Sequence, residues 1–204
     1  MVEHISPPFL EPVVDTPPSA AYLAHRIIAQ EREGGSGIVL MPVGGEYSNV
    51  VIWLHGLGDT PDTWAQCMPS LGLARTKFIL PQAKLRPVSI YNRQAMNAWS
   101  DVLAMDPSAP EDKIGLEESA IRLIRLLQAE IDNGVAPSRI VLAGFSQGGA
   151  LALHVALRLP VAIGGCVVLS AWLPLRQEYP AALSPATAAT PILQVRLTAL
   201  GTRG

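Results

Sequence analysis

The stretch Gly144-Phe145-Ser146-Gln147-Gly148 constrains this chain more than any other. It fits the pattern G-x-S-x-G, in which a serine sits on a sharp turn between a strand and a helix. The flanks agree with that reading. Arg139-Ile140-Val141-Leu142-Ala143 has the apolar character of a buried strand, and Gln147 to Leu159 reads as a helix ended by Pro160. A serine so placed exposes its oxygen and lies at a helix N-terminus, which stabilises negative charge nearby. To act as a nucleophile it needs a histidine to take its proton and an acid to orient that histidine. In G-x-S-x-G folds both come later in the chain. Here no histidine follows His154, and no Asp or Glu follows Glu178.

Strand and helix signals alternate around this turn. Ile38–Met41, Val50–Leu54, Phe78–Leu80, Cys166–Leu169 and Ile192–Val195 read as strands. Thr60-Pro61 opens a short helix through Trp64, with Thr60 as N-cap and Pro61 as the first helical residue. Gly115 to Asn133 is the clearest helix: Ala120, Ile121, Ile124, Leu127 and Ile131 recur at helical spacing, and Asn133-Gly134 is a stop signal. Continuous Val/Ile/Leu strands between helices argue for an α/β fold with a mostly parallel sheet covered on both faces. Residues 1–36 read as a flexible N-terminal extension, with paired prolines, a short amphipathic helix over Ala20–Glu33 and the joint Gly34-Gly35-Ser36-Gly37. Residues 37–204 form the domain, and Pro180–Pro191 reads as a loop.

Composition excludes several functions. The chain has 204 residues, 49% hydrophobic and 16% charged, with a net charge of −2. That balance gives no electrostatic case for nucleic acid or an anionic membrane. No apolar stretch is long enough to span a bilayer, and residues 1–20 hold no signal-like apolar run, so a cytoplasmic location is expected. Cys67 and Cys166 make no disulfide framework and read as buried free thiols. Four scattered histidines and two cysteines do not make a metal site, and no cofactor is expected.

The chemistry centres on Ser146. The Gln147 N–H supplies one donor for an oxyanion hole, and a second must come from an earlier strand-end loop. His55-Gly56-Leu57-Gly58-Asp59 suits that task, because it follows a buried strand and its glycines let backbone approach a ligand closely. His55 within it reads as a structural residue that holds the loop by hydrogen bonds. His154 lies eight residues beyond Ser146 on the same helix, about 12 Å away by helical rise, too far to be the base. His4 and His25 belong to the N-terminal extension.

Several motifs then occur in order: His55-Gly56-Leu57-Gly58-Asp59-Thr60, Arg86-Pro87-Val88, Met96 with Trp99 and Asp101, Gly144-Phe145-Ser146-Gln147-Gly148-Gly149, Leu169-Ser170 before Trp172-Leu173-Pro174, and Thr190-Pro191-Ile192-Leu193-Gln194. Together they resemble the acyl-protein thioesterase/lysophospholipase/carboxylesterase family of α/β-hydrolases over about residues 37–194. The resemblance implies a three-layer sandwich and a serine hydrolase acting on acylated protein, lysophospholipid or small esters. It implies Ser146 as nucleophile, the Leu57 and Gln147 backbone N–H groups as oxyanion-hole donors, and the Arg86–Trp99 segment as the loop lining the acyl site. Trp99 then either lines the apolar groove or anchors that loop.

The sequence also departs from the family pattern. Lys84 stands where proline is usual, and Ser100 where an aromatic residue is common. After Gln194 the family pattern is lost, before the triad aspartate and histidine would occur. The expectation is therefore a chain truncated or altered at its C-terminus, without the final strand and helix units, and impaired in turnover. It would either bind acyl groups without hydrolysing them or be an unstable product, with apolar surface exposed toward another chain, a homodimer included.

Overall fold

The computed structural model describes residues 37–104, 106 and 108–196, and the backbone of residues 25–29. Its centre is a seven-stranded sheet in the order β1-β2-β4-β3-β7-β8-β9. The strands are β1 (His25–Ala29), β2 (Gly37–Pro42), β3 (Asn49–Leu54), β4 (Thr76–Pro81), β7 (Ile140–Phe145), β8 (Gly165–Leu169) and β9 (Ile192–Val195). β1, β2 and β4 pair antiparallel, while β4, β3, β7, β8 and β9 run parallel. A two-stranded hairpin, β5 (Leu85–Val88) with β6 (Gln94–Asn97), stands apart from the sheet.

Three helices complete the layers: α1 (Pro61–Ala65), α2 (Lys113–Asp132) and α3 (Gln147–Ala156). Side chains alternate across a strand, so the sheet offers two distinct faces. Val50, Ile52, Leu54, Ile140, Leu142, Cys166 and Val168 point to one face and pack against α2 and α3. Leu40, Phe78, Leu80, Trp53 and Ala143 point to the other and pack against Ala65 of α1 and Met68 just after it. Every residue of α3 is buried, as befits a helix enclosed between the sheet and α2. At the far end of the sheet Lys77 is buried. Its Nζ lies 2.7 Å from Glu130 Oε1, and Tyr47 donates to the other Glu130 oxygen at 3.0 Å. A buried charge requires such a partner.

Several expectations change here. The helix expected over Ala20–Glu33 contains strand β1 at His25–Ala29, so the sheet begins inside the segment read as an extension; the remainder of that expected helix, and residues 1–24, lie outside the described residues. An antiparallel partner strand satisfies the backbone of Ile27 and Ile28, an option that local sequence does not reveal. On α2 the core-facing stripe is Leu116, Ala120, Leu123 and Leu127, whereas Ile121 and Ile124 are exposed. Two overlapping apolar stripes satisfy the same 3.6-residue period, and packing selects one. α3 ends at Ala156, three residues before Leu159, because the approach to Pro160 disfavours helical backbone. Thr60 occupies the N-cap of α1 without a side-chain capping bond. Cys67 is exposed, while Cys166 is buried and its thiol is pushed up to about 12 by burial. The Pro180–Pro191 loop holds a short 3₁₀ turn at Pro185–Ala189.

Candidate active site

Ser146 joins β7 to α3 with φ 51° and ψ −122°. A non-glycine residue rarely adopts a positive φ, and its cost is tolerated where the surroundings enforce it. Three glycines make that turn tight enough. A Cβ on Gly144 would lie 2.5 Å from the Gly148 carbonyl carbon, one on Gly148 2.3 Å from the Leu54 oxygen, and one on Gly149 2.8 Å from the Gly144 oxygen. The Ser146 N–H donates to the Leu169 carbonyl at 2.8 Å, and the Ser146 carbonyl accepts the first α3 bond from Ala150 N–H at 2.9 Å. Backbone bonds on both sides thus hold the serine out of the ordinary helical path.

Sheet order brings the second Gly-rich loop beside it. β3 and β7 are neighbours, with Leu54 opposite Gly144, so the loops after them leave the same edge side by side. This is where ligands bind in open α/β sheets. A Cβ on Gly56 would be 3.2 Å from Phe145 Cδ1 and 3.6 Å from Ser146 Cβ. Leu57, half-buried, follows directly. Gln147 opens α3, where backbone N–H groups have no intrahelical partner. The two expected oxyanion donors and the expected nucleophile therefore sit on adjoining loops.

Neither described histidine side chain is free to serve Ser146. His55 is buried; its Nδ1 lies 2.8 Å from the Gly56 carbonyl, and its Nε2 accepts the Ala83 N–H at 3.1 Å. Those partners fix an imidazole protonated at Nδ1. Burial holds its pKa below the ordinary value, against the opposing pull of the Gly56 carbonyl. His154 is buried on α3 beside Arg158, whose Nη1 lies 2.7 Å from Nε2, and Glu117 Oε1 lies 3.4 Å from the same nitrogen. Burial first, and then the Arg158 charge, lowers its pKa also. The side chains of His4 and His25 lie outside the described residues.

The Trp99 and Arg86 side chains bond to neighbouring elements of the fold. Trp99 is only 2% exposed. Its indole N–H donates to the His55 carbonyl at 2.8 Å, and its backbone N–H donates to Gln147 Oε1 at 2.9 Å. Its carbonyl accepts from Ser119 Oγ. These contacts are those expected of a loop anchor. Gln147 Nε2 donates to the Ser100 carbonyl at 2.8 Å, so one side chain grips two successive loop residues. The Arg86 guanidinium faces α2, 3.9 Å from Asp112 Oδ2 and 3.8 Å from Glu118 Oε2, and so ties the hairpin to that helix. The Asp101 carboxylate accepts from Ser89 N–H at 2.7 Å and Ser89 Oγ at 2.6 Å.

Two features escape sequence reasoning. The β5–β6 hairpin has four-residue strands and a proline, too little for a strand signal. The side-chain role of Gln147 was hidden behind its backbone role. The available signal was an amide at the first turn of an apolar helix, because a buried amide must find partners.

Residues 39–198 match the family described as Phospholipase/Carboxylesterase. Acyl-protein thioesterase 1 of Gibberella zeae is 34% identical over 166 residues, covering 76% of this chain and 71% of that protein. The Mycosarcoma maydis protein of the same name is 36% identical over 157 residues, covering 71% of this chain and 65% of its own. The crystal structure of Zea mays acyl-protein thioesterase 2 superimposes with a TM-score of 0.67 at 28% identity, covering 84% of this chain and 75% of that one. The chain therefore belongs to the phospholipase/carboxylesterase family of α/β-hydrolases, a family of ester and thioester hydrolases. It spans roughly two thirds of the length of the thioesterases that it matches. Among the described residues no helix is long and apolar enough to cross a membrane, and no cluster of three or more metal-ligating side chains occurs.

Proposed function

We propose that this chain is the nucleophile-bearing part of a serine hydrolase acting on acyl thioesters and esters, with Ser146 as nucleophile and the Leu57 and Gln147 N–H groups as the oxyanion hole. The observation that carries this reading is the backbone of Ser146, held at φ 51° between Gly144 and Gly148 at the start of a buried helix. Strain of that kind has no packing benefit and serves to present the serine oxygen.

The chemistry follows from the placement. Ser146 Oγ attacks the acyl carbonyl carbon, and negative charge develops on the carbonyl oxygen. Donors placed in advance at that oxygen stabilise the transition state, each by about 3–4 kcal/mol in a serine protease. The serine proton passes to solvent as the new C–O bond forms; collapse breaks the acyl C–S or C–O bond, the departing sulfur or oxygen takes a proton from solvent, and water then hydrolyses the acyl-serine left behind. The names of the relatives favour acylated protein as substrate, with lysophospholipid or small esters as the other substrates in the same chemical class. A cytoplasmic location fits that substrate.

Among the described residues neither His55 nor His154 is free to serve Ser146. Loss of a triad base costs on the order of 10⁴- to 10⁶-fold in serine proteases, and oxyanion-hole catalysis leaves roughly 10³- to 10⁴-fold over water. The test is hydrolysis of an octanoyl thioester by the purified chain and by Ser146→Ala. The expected result is a rate above buffer that vanishes in the variant. Equal rates in both proteins would overturn the proposal.

A further inference from the structure

We propose that Asn97 is a positioning residue for the oxyanion loop, acting through a side-chain hydrogen bond that sets where the Leu57 N–H points. The inference rests on the reading of Leu57 as an oxyanion donor given above.

The loop after β3 is held at two points, one on each side of Leu57. Upstream, the His55 carbonyl accepts the Trp99 indole N–H at 2.8 Å. Downstream, Asn97 makes two bonds to successive residues. Its backbone carbonyl accepts the Gly58 N–H at 2.8 Å, and its Nδ2 donates to the Asp59 carbonyl at 3.0 Å. Both clamps come from one short run, the end of β6 and the residues just after it. The same run reaches the second oxyanion donor, since Gln147 grips Trp99 and Ser100. Residues 97–100 thus splint the two halves of the oxyanion hole to each other.

The loop itself needs such support. Gly58 has φ +76°, and a Cβ there would lie 2.8 Å from the Met96 methyl carbon, so the turn presses against β6. Asp59 then departs into α1. Its carboxylate accepts from Thr60 N–H at 2.8 Å, Thr63 Oγ1 at 2.7 Å and the Trp64 indole at 2.8 Å. Burial raises the Asp59 pKa, but those bonds outweigh it and hold the carboxyl below its usual range. Asp59 is therefore fixed to α1 by its side chain and to Asn97 by its carbonyl. Leu57, two residues before it, gains its orientation from that fixed point.

The test uses an alkylboronic acid, which forms a tetrahedral anion on a serine oxygen and so reads the oxyanion hole by equilibrium binding. Boron NMR distinguishes the tetrahedral from the trigonal species. The parent chain should give a tetrahedral signal that Ser146→Ala abolishes. Asn97→Ala and Asn97→Leu, which fills similar space with neither an N–H donor nor an added charge, should each weaken boronate affinity about three- to tenfold, the worth of one hydrogen bond. All measurements are made well below the melting temperature of each variant, with circular dichroism confirming a folded chain.

Equal affinity in parent and Asn97→Ala would overturn the positioning role alone. So would an Asn97→Leu variant that binds like the parent, because shape and not the donor would then matter. Absence of a Ser146-dependent signal in the parent would instead overturn the underlying assignment of the nucleophile, and with it this inference.

Discussion

The two faces of the central sheet are built from equally apolar strands yet end in different states. On the face carrying α2 and α3, Val50, Ile52, Leu54, Ile140, Leu142 and Val168 are completely buried. On the opposite face α1 shields Leu40, Phe78 and Leu80, whereas Val51, Phe145, Val167 and Leu169 are only half-buried. The exposure grows toward the edge: on β9, in register with Val167 and Leu169, Leu193 is 57% and Val195 39% exposed. Among the described residues no helix covers this end. Apolarity in a strand therefore records what a residue can pack against, while burial depends on what arrives to cover it. The Ser146 turn draws its rigidity from the covered face, because α3 begins there.

Three substitutions or conditions sharpen that contrast, beginning with the largest effect. Leu142→Ala removes a fully buried side chain between β3, β8 and α3 and should cost about 2–5 kcal/mol in urea unfolding; a loss below 1 kcal/mol would mean that the covered face is looser than its burial indicates. Acid should loosen the same face. His55 and His154 are both held below the ordinary value of 6.5, chiefly by burial, with Arg158 adding to the effect at His154. The unfolded chain then binds protons that the folded one refuses, so their contribution is complete above about pH 6.5 and declines as pH falls below it. The melting temperature should be lower at pH 5.5 than at pH 7.5, with a shallower slope in His154→Gln. A flat profile would show that neither imidazole is held neutral. The smallest effect belongs to the open face: Leu193→Ser should change stability by no more than about 0.5 kcal/mol while reducing self-association in sedimentation velocity, as expected for an exposed apolar edge strand. A loss of several kcal/mol there would mean that β9 is covered in solution.

The same contrast explains what the sequence could and could not reveal. Strands β2, β3, β4, β7, β8 and β9 and the turn at Ser146 were legible because each rests on local pattern: apolar runs, glycines that exclude a Cβ, and a helix start. The coverage of both sheet faces was inferred from those same runs: α2 and α3 supply it on one face and α1 on the other, while β9 is exposed on both. β1 was read as helix because its partner strand supplies what decides the matter. The contacts of the site were the least legible. Trp99 bonds directly to His55, Ser119 and Gln147, which lie 44, 20 and 48 positions from it in the chain. Nothing in the local sequence of Trp99 distinguishes an anchor from a groove wall, and only the fold shows its indole N–H bound to the His55 carbonyl.

On the proposed reading, Ser146 is held ready as a nucleophile by the backbone around it. The direct measurement is exposure of the purified chain to an alkyl fluorophosphonate, followed by intact-mass analysis and peptide mapping. A single adduct is expected on the peptide carrying Ser146, absent from Ser146→Ala. An unmodified chain after prolonged exposure, or an adduct on any other residue, would contradict it.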